Sequence, residues 1–134
     1  MRYLAIDLGD RRTGLAMGDD ETGIVSALEQ LDVPVGPQLD AALERAIEEH
    51  GPDALVIGLP LNMDGSEGPR AKSTRAVGDA LHDITLLPVH YQDERLTSYA
   101  ANHAMARSGK THKQKKKLRD SLAAAEILRD FLGV

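Results

Sequence analysis

The sequence predicts one α/β domain, a mixed sheet of about five strands flanked by helices. Two observations carry this. The first 30 residues hold three strand-like segments joined by Gly- and Asp-rich turns, so the sheet starts as a meander. Beyond them, short apolar strands alternate with amphipathic helices, as in sheets covered on both faces. A chain of 134 residues buries roughly 68–70% of its unfolded surface, enough for one real core. Residues 1–134 are therefore read as a single domain.

The elements follow in order. Arg2–Leu8 is a strand, and Arg12–Gly18 pairs with it through the turn over Gly9–Arg12. A weaker strand covers Ile24–Gln30. Pro37–His50 is a helix, with Leu39, Ala42, Leu43, Ala46 and Ile47 at helical spacing and Gly51-Pro52 as its stop. Asp53–Leu59, DALVIGL, is continuously apolar, which suits a central strand buried on both faces. A helix is expected over Pro69–His82 and a strand over Ile84–Gln92. Thr97–Ser108 is a helix with Thr97 or Ser98 as N-cap and Gly109 as its stop. Lys115–Leu132 is the last helix. Crossovers such as the one from DALVIGL to LLPVHYQ should be parallel and right-handed. Chemistry in such sheets gathers at the carboxyl ends of the strands, here after Leu8, Leu59 and Gln92.

Composition narrows the chemistry. There is no cysteine, which excludes disulfides and thiolate metal sites and fits a reducing cytoplasm. No apolar run is long enough to span a membrane, and Arg2 leads directly into a strand, so no signal peptide is expected. With one Phe, three Tyr and no Trp, base stacking should not dominate any nucleic-acid contact. The net charge is −5, yet Arg107–Arg119, RSGKTHKQKKKLR, holds seven of the 16 Lys/Arg and none of the 21 Asp/Glu. A basic loop on an acidic body reads as a phosphate-binding arm, with Lys115, Lys116 and Lys117 at its centre.

Three acids sit where a charge is expensive. Asp7 lies in the apolar strand YLAIDL, where it needs a partner, a proton or a metal ion. Asp120 stands near the start of the last helix. At about 100° per residue it falls between Ile127 and Phe131 on the apolar arc, while Glu126 and Asp130 fall on the wet side. The third lies in YQDERLTS, where Asp93 and Glu94 end a strand. Adjacent strand residues point to opposite faces, so only one of them can face Asp7, and periodicity leaves the choice open. Three carboxylates on separate elements would repel one another unless they share a divalent cation. Oxygen ligands favour Mg²⁺ or Mn²⁺, and a pair of such ions suits in-line displacement at phosphorus.

Candidate phosphate holders surround these acids. GLPLNMDGSEGPRAK runs from the central strand to a helix start. Pro69 suits the first helical turn, and Arg70 and Lys72 stand where a helix N-terminus already favours anions. The segment lacks the Gly-Lys-Ser/Thr ending of a Walker loop. Arg12 on the first hairpin and Arg95 beside Glu94 are further cations for a backbone phosphate. No pair among the five histidines has metal-ligand spacing, and no Ser has a His/Asp frame.

Taken together, IDLGDRRTGLA, VIGLPLNMDGSEGPRA, DERLTS and DSLAAAEILRDFL resemble the YqgF-type family of pre-16S ribosomal RNA nucleases and Holliday-junction resolvase-like proteins. The motifs occur in order over essentially the whole chain. The resemblance implies an RNase H-like fold with strand order 3-2-1-4-5 and the second strand antiparallel. It implies a cytoplasmic, Mg²⁺- or Mn²⁺-dependent nuclease, with two ions, that helps mature the 5′ end of 16S rRNA. By position it selects Asp7, Glu94 and Asp120 as catalytic and metal-binding acids. It aligns Gly9, Arg12 and Gly14 with the hairpin motif, and Asn62, Gly65 and Arg70 with the loop after the central strand. The implied partners are precursor rRNA or branched DNA and ribosomal particles, with no membrane, and the expected state is a monomer or weak dimer. Two other readings compete. A nucleotide-binding module of the actin and Hsp70 type needs a second half that 134 residues do not hold. A non-catalytic RNA- or ribosome-binding factor would keep the acids without cleaving.

Overall fold

The computed structural model describes residues 1–94 and 112–134, with the backbone alone for 112–120. Its elements are β1 (Arg2–Leu8), β2 (Thr13–Asp19), β3 (Val25–Leu31), α1 (Pro37–His50), β4 (Ala54–Leu59), α2 (Pro69–Thr85), β5 (Val89–Asp93) and α3 (His112–Leu132). The helix expected over Thr97–Ser108 lies outside the described residues. The five strands form one sheet in the order β3-β2-β1-β4-β5. β2 runs antiparallel to β1 and β3, while β4 lies parallel to β1 and β5 parallel to β4.

Alternation along the strands divides the core in two. Leu4, Ile6, Leu15, Leu55 and Ile57 face α1 and α2 and pack on Leu39, Leu43, Val77 and Leu81. Tyr3, Ala5, Ala16, Ala54 and Val56 face α3 and pack on Ala124, Ala125, Ile127 and Leu128. The second layer is rich in alanine on both sides. Each fully buried Leu or Ile contributes about 1.5–3 kcal/mol relative to exposure.

Local signals explain most boundaries. Pro37 and Pro69 start α1 and α2, and Gly51, in the left-handed region at φ 59°, closes α1 by donating its N–H to the Ile47 carbonyl at 2.9 Å. Gly9 makes the β1–β2 turn, donating to the Arg12 carbonyl at 2.8 Å. A Cβ there would stand 2.6 Å from that same oxygen, so only glycine fits.

Two expectations are corrected. The strand expected over Ile84–Gln92 covers only Val89–Asp93, because α2 continues to Thr85. The Thr85 hydroxyl donates to the Leu81 carbonyl at 2.7 Å, and Leu86, at φ 61°, caps the helix by donating to the His82 carbonyl. Ile84 is 58% exposed, so its β-branched side chain signalled a strand that packing did not use. The last helix, expected from Lys115, starts at His112, so the basic segment also read as a loop is helix from there on. Its Lys, Gln and Arg are good helix formers, and no Gly or Pro interrupts the chain between Gly109 and Gly133. Arg107–Thr111 lies outside the described residues.

Candidate active site

Asp7 is the next-to-last residue of β1 and shares the parity of Tyr3 and Ala5, so it belongs to the α3 face at the carboxyl end of the strand. On β5, Val89 and Tyr91 pack against the α1/α2 core. Asp93 follows them in parity. Glu94 belongs to the opposite row with His90 and Gln92, the row of Asp7. The backbone N–H of Glu94 donates to the Leu59 carbonyl at 3.4 Å, which holds the residue against the end of β4.

The Glu94 carboxyl lies within hydrogen-bonding reach of the Asp7 carboxyl. Burial pushes the Glu94 carboxyl above its ordinary value, while the bond to Asp7 and the positive charge of Arg70 pull it back down. The negative charge of Asp93 adds to the upward push. Two half-buried carboxyls on separate strands form an oxygen-only donor set, which fits a hard divalent cation better than zinc.

The third acid, Asp120, is in α3, and its side chain is outside the described residues. Ile127 packs over the end of β4, its Cδ1 beside Gly58, and Phe131 packs on Tyr3 near the start of β1 with ring centroids 5.4 Å apart. α3 thus runs against β1, its N-terminal half directed toward the carboxyl ends of the strands. Ala124 and Asp120 lie about one and two turns from Ile127 in that direction.

The expected phosphate holders are distributed unevenly. Arg70 stands on the first turn of α2, exposed and close enough to act on Glu94. Lys72, also exposed, acts on Glu67 instead. Arg12 lies with its Nε 3.9 Å from Asp32 Oδ1. The Asn62 side chain turns back onto its own loop, its Nδ2 donating to Ser66 Oγ at 3.0 Å. Arg95 lies outside the described residues, and of Lys115, Lys116 and Lys117 the backbone alone is described.

Sequence reasoning missed three features. The loop between β4 and α2 is folded on itself through a Leu61–Glu67 bridge and a turn closed from Gly65 N–H to the Asn62 carbonyl. It is fastened by Arg75, which donates to both Glu67 oxygens at 2.7 and 2.9 Å while its guanidinium lies 4.7 Å from the Tyr91 ring centroid. Beside Arg70, a cavity of about 290 Å³ opens on the α2 side, walled by Leu8, Pro34, Val35, Ser73 and Val77. Glu29, Glu49 and His50 bring ligand atoms within 4.8 Å of one another on β3 and the end of α1. That group lies toward the sheet edge opposite Glu94, and two of its three members are exposed. Among the described residues, no helix is long and apolar enough to cross a membrane.

Comparison with known proteins agrees with this architecture. Among solved structures, the Thermus thermophilus RuvC complex with Holliday junction substrate superposes with a TM-score of 0.57 at 15% identity, over 95% of this chain and 92% of that one. The fowlpox virus resolvase complex with Holliday junction DNA gives 0.64 at 9% identity, over 99% and 97%. A protein of Rhodobacter capsulatus named "Putative pre-16S rRNA nuclease" is 39% identical over 132 residues, covering 95% of this chain and 80% of the relative. One of the same name from Streptococcus suis is 36% identical over 135 residues, covering 98% and 97%. A sequence model of the family described as "RuvX: Holliday junction resolvase" matches residues 1–133. With that match and these relatives, the chain belongs to the RuvX family.

Proposed function

We propose that this protein is a divalent-metal-dependent nuclease whose substrate is precursor 16S rRNA, trimmed toward the mature 5′ end within ribosomal particles in the cytoplasm. The observation that carries the reading is the pair of Asp7 and Glu94, within hydrogen-bonding reach at the carboxyl ends of β1 and β5. The names of the relatives point it toward rRNA. Asp7 and Glu94, with Asp120 from α3, would hold Mg²⁺ or Mn²⁺. When bound, a pair of such ions supplies Lewis acidity for activating water and for neutralising charge at phosphorus.

The chain's own groups bind and orient. Arg70 sits on the first turn of α2 next to the acid pair and takes a phosphate oxygen, aided by Lys72 and by the helix N-terminus. Arg12, Asn62, Arg95 and Lys115–Lys117 extend contact along the nucleic-acid backbone. A water oxygen forms the new bond to phosphorus as the P–O3′ bond breaks. The proton goes to the leaving 3′ oxygen, giving a 3′-hydroxyl and a 5′-phosphate.

The family description favours a second substrate, branched DNA. One experiment separates the two: purified protein with Mn²⁺ or Mg²⁺ is offered precursor 16S rRNA and a four-way DNA junction, and the product ends are mapped. Cleavage of the rRNA, absent in Asp7→Asn and Glu94→Gln, supports the first reading, and junction cleavage alone supports the second. Binding of either without cleavage under every metal tried would return the protein to a non-catalytic role.

A further inference from the structure

We propose that Gly58 is a positioning residue, the gap through which the Glu94 carboxylate reaches Asp7. This rests on the nuclease reading above. Gly58 lies in β4, paired with Gln92 of β5 and one step beyond the Ile6–Ile57 pair with β1. β4 therefore separates the strands that carry the two acids, and Gly58 is the residue between them on the α3 face. Ala54 and Val56, earlier in the same row, fill that face with side chains against α3.

A Cβ at Gly58 would stand 2.5 Å from Glu94 Oε2 and 2.6 Å from Ile127 Cδ1. Both are well inside the closest approach real side chains make. The backbone gives no other reason for glycine. Gly58 is absent from the positive-φ positions, which among the described residues are Leu86 and Gly23, Gly36, Gly51, Gly65 and Gly133. Glycine inside a strand is otherwise a disadvantage, since it orders a flexible residue and packs nothing. Space alone selects it.

The two obstructed atoms differ in what they can do. Ile127 is fully buried between α3 and the sheet and has little room to turn. Glu94 is half-buried at the end of β5, and its carboxylate is the tip of a flexible side chain. A methyl group at position 58 would therefore move Glu94 more readily than the helix. The fold would survive while the acid lost its place beside Asp7.

The test uses metal-free protein and MnCl₂ in isothermal calorimetry, with thermal melting alongside. Asp7→Asn should abolish Mn²⁺ binding. Gly58→Ala should stay folded and weaken it by about tenfold to 100-fold, the scale seen when a group supporting a metal ligand is lost. Ile127→Val, which removes the obstructed Cδ1, should recover the melting temperature of Gly58→Ala without recovering Mn²⁺ affinity. Wild-type affinity in Gly58→Ala would overturn the proposal, as would restored affinity in the double variant, since glycine would then serve only helix packing. Unfolding of both variants would overturn it too, because Glu94 would not be the group that yields. Mn²⁺ binding indifferent to Asp7→Asn would instead overturn the nuclease reading, and this proposal with it.

Discussion

Glu94 passes over Gly58 to come within hydrogen-bonding reach of Asp7, so an edge strand and the central strand of the sheet meet through their acids across β4. The contact joins two groups that would repel if both were charged, and burial has already pushed Glu94 upward. The metal-free pair is therefore a point of stored electrostatic cost.

That cost gives a stability prediction with a definite sign. Glu94 has a higher affinity for its proton in the folded state than its ordinary value of 4.5. The folded state is then favoured at acidic pH. That advantage is lost as pH rises from the ordinary value through the raised one. In metal-free protein, Glu94→Gln should melt higher than wild type at pH 7–8, and the difference should shrink toward pH 4. Mn²⁺ should raise the wild-type melt and leave Glu94→Gln nearly unmoved. A Gln variant that melts lower at neutral pH would show that the carboxylate is already compensated.

For catalysis, Asp7→Asn and Glu94→Gln should each remove detectable Mn²⁺- or Mg²⁺-dependent cleavage, because each loses a carboxylate that would hold the metal. Circular dichroism should match wild type in both. Full activity in either variant removes that residue from the chemistry.

How much of this was legible beforehand differs by element. α1 was readable to the residue, because Pro37, the helical spacing of Leu39 to Ile47, and Gly51 all agree. Asp7 was recognisable as a charge in an apolar strand. The choice between Asp93 and Glu94 was not readable from alternation. β5 alternates clearly, Val89 and Tyr91 against His90 and Gln92, but β1 is apolar on both faces, with Leu4 and Ile6 against Tyr3 and Ala5. No pattern in β1 says which row faces α3, so its acid could not be matched to one on β5. What fills the space beside Gly58 is the chain's own Glu94, a neighbour that only the folded sheet brings there. Ile84 and Thr85 were misread because β-branched propensity is weaker than the pull of a helix already under way.

Arg70 connects binding to the acid pair. Its charge lowers the Glu94 value, so Arg70→Ala should do two things at once. Substrate affinity should fall with a salt slope shallower by about one. The acidic limb of the pH–rate profile should move to higher pH, because Glu94 loses a charge that favours its ionised form. A drop in affinity with an unmoved profile would separate Arg70 from Glu94.

The Arg75–Glu67 pair tests whether the loop before α2 is preorganised. Its hydrogen bond to Arg75 holds the Glu67 carboxyl below its ordinary range, so the stabilising pair is present above the unfolded value and is lost as pH falls through the depressed one. Arg75→Ala should speed amide exchange at Asn62 and Gly65, whose N–H groups close the loop, and raise KM more than it lowers kcat. High salt should produce part of the same effect in wild type, since the pair is exposed. Unchanged exchange would mean that the Asn62–Ser66 bonds alone hold the loop.

Lys115, Lys116 and Lys117 offer a test in which binding and stability should move in opposite directions. They lie in the N-terminal part of α3, a helix whose first turn carries no acid. The helix dipole makes that end electropositive, so clustered lysines there are unfavourable to the folded chain. They also repel one another. Replacing all three by Ala removes the repulsion and introduces the best helix former, so the melting temperature should rise. Nucleic-acid affinity should fall, and the slope of log K against log salt should flatten by about two for a single-stranded substrate, at roughly 0.7 per phosphate contact. A solvated helix end with no ligand would gain stability and keep its affinity and slope. Loss of both stability and affinity would mean that the lysines hold α3 in place.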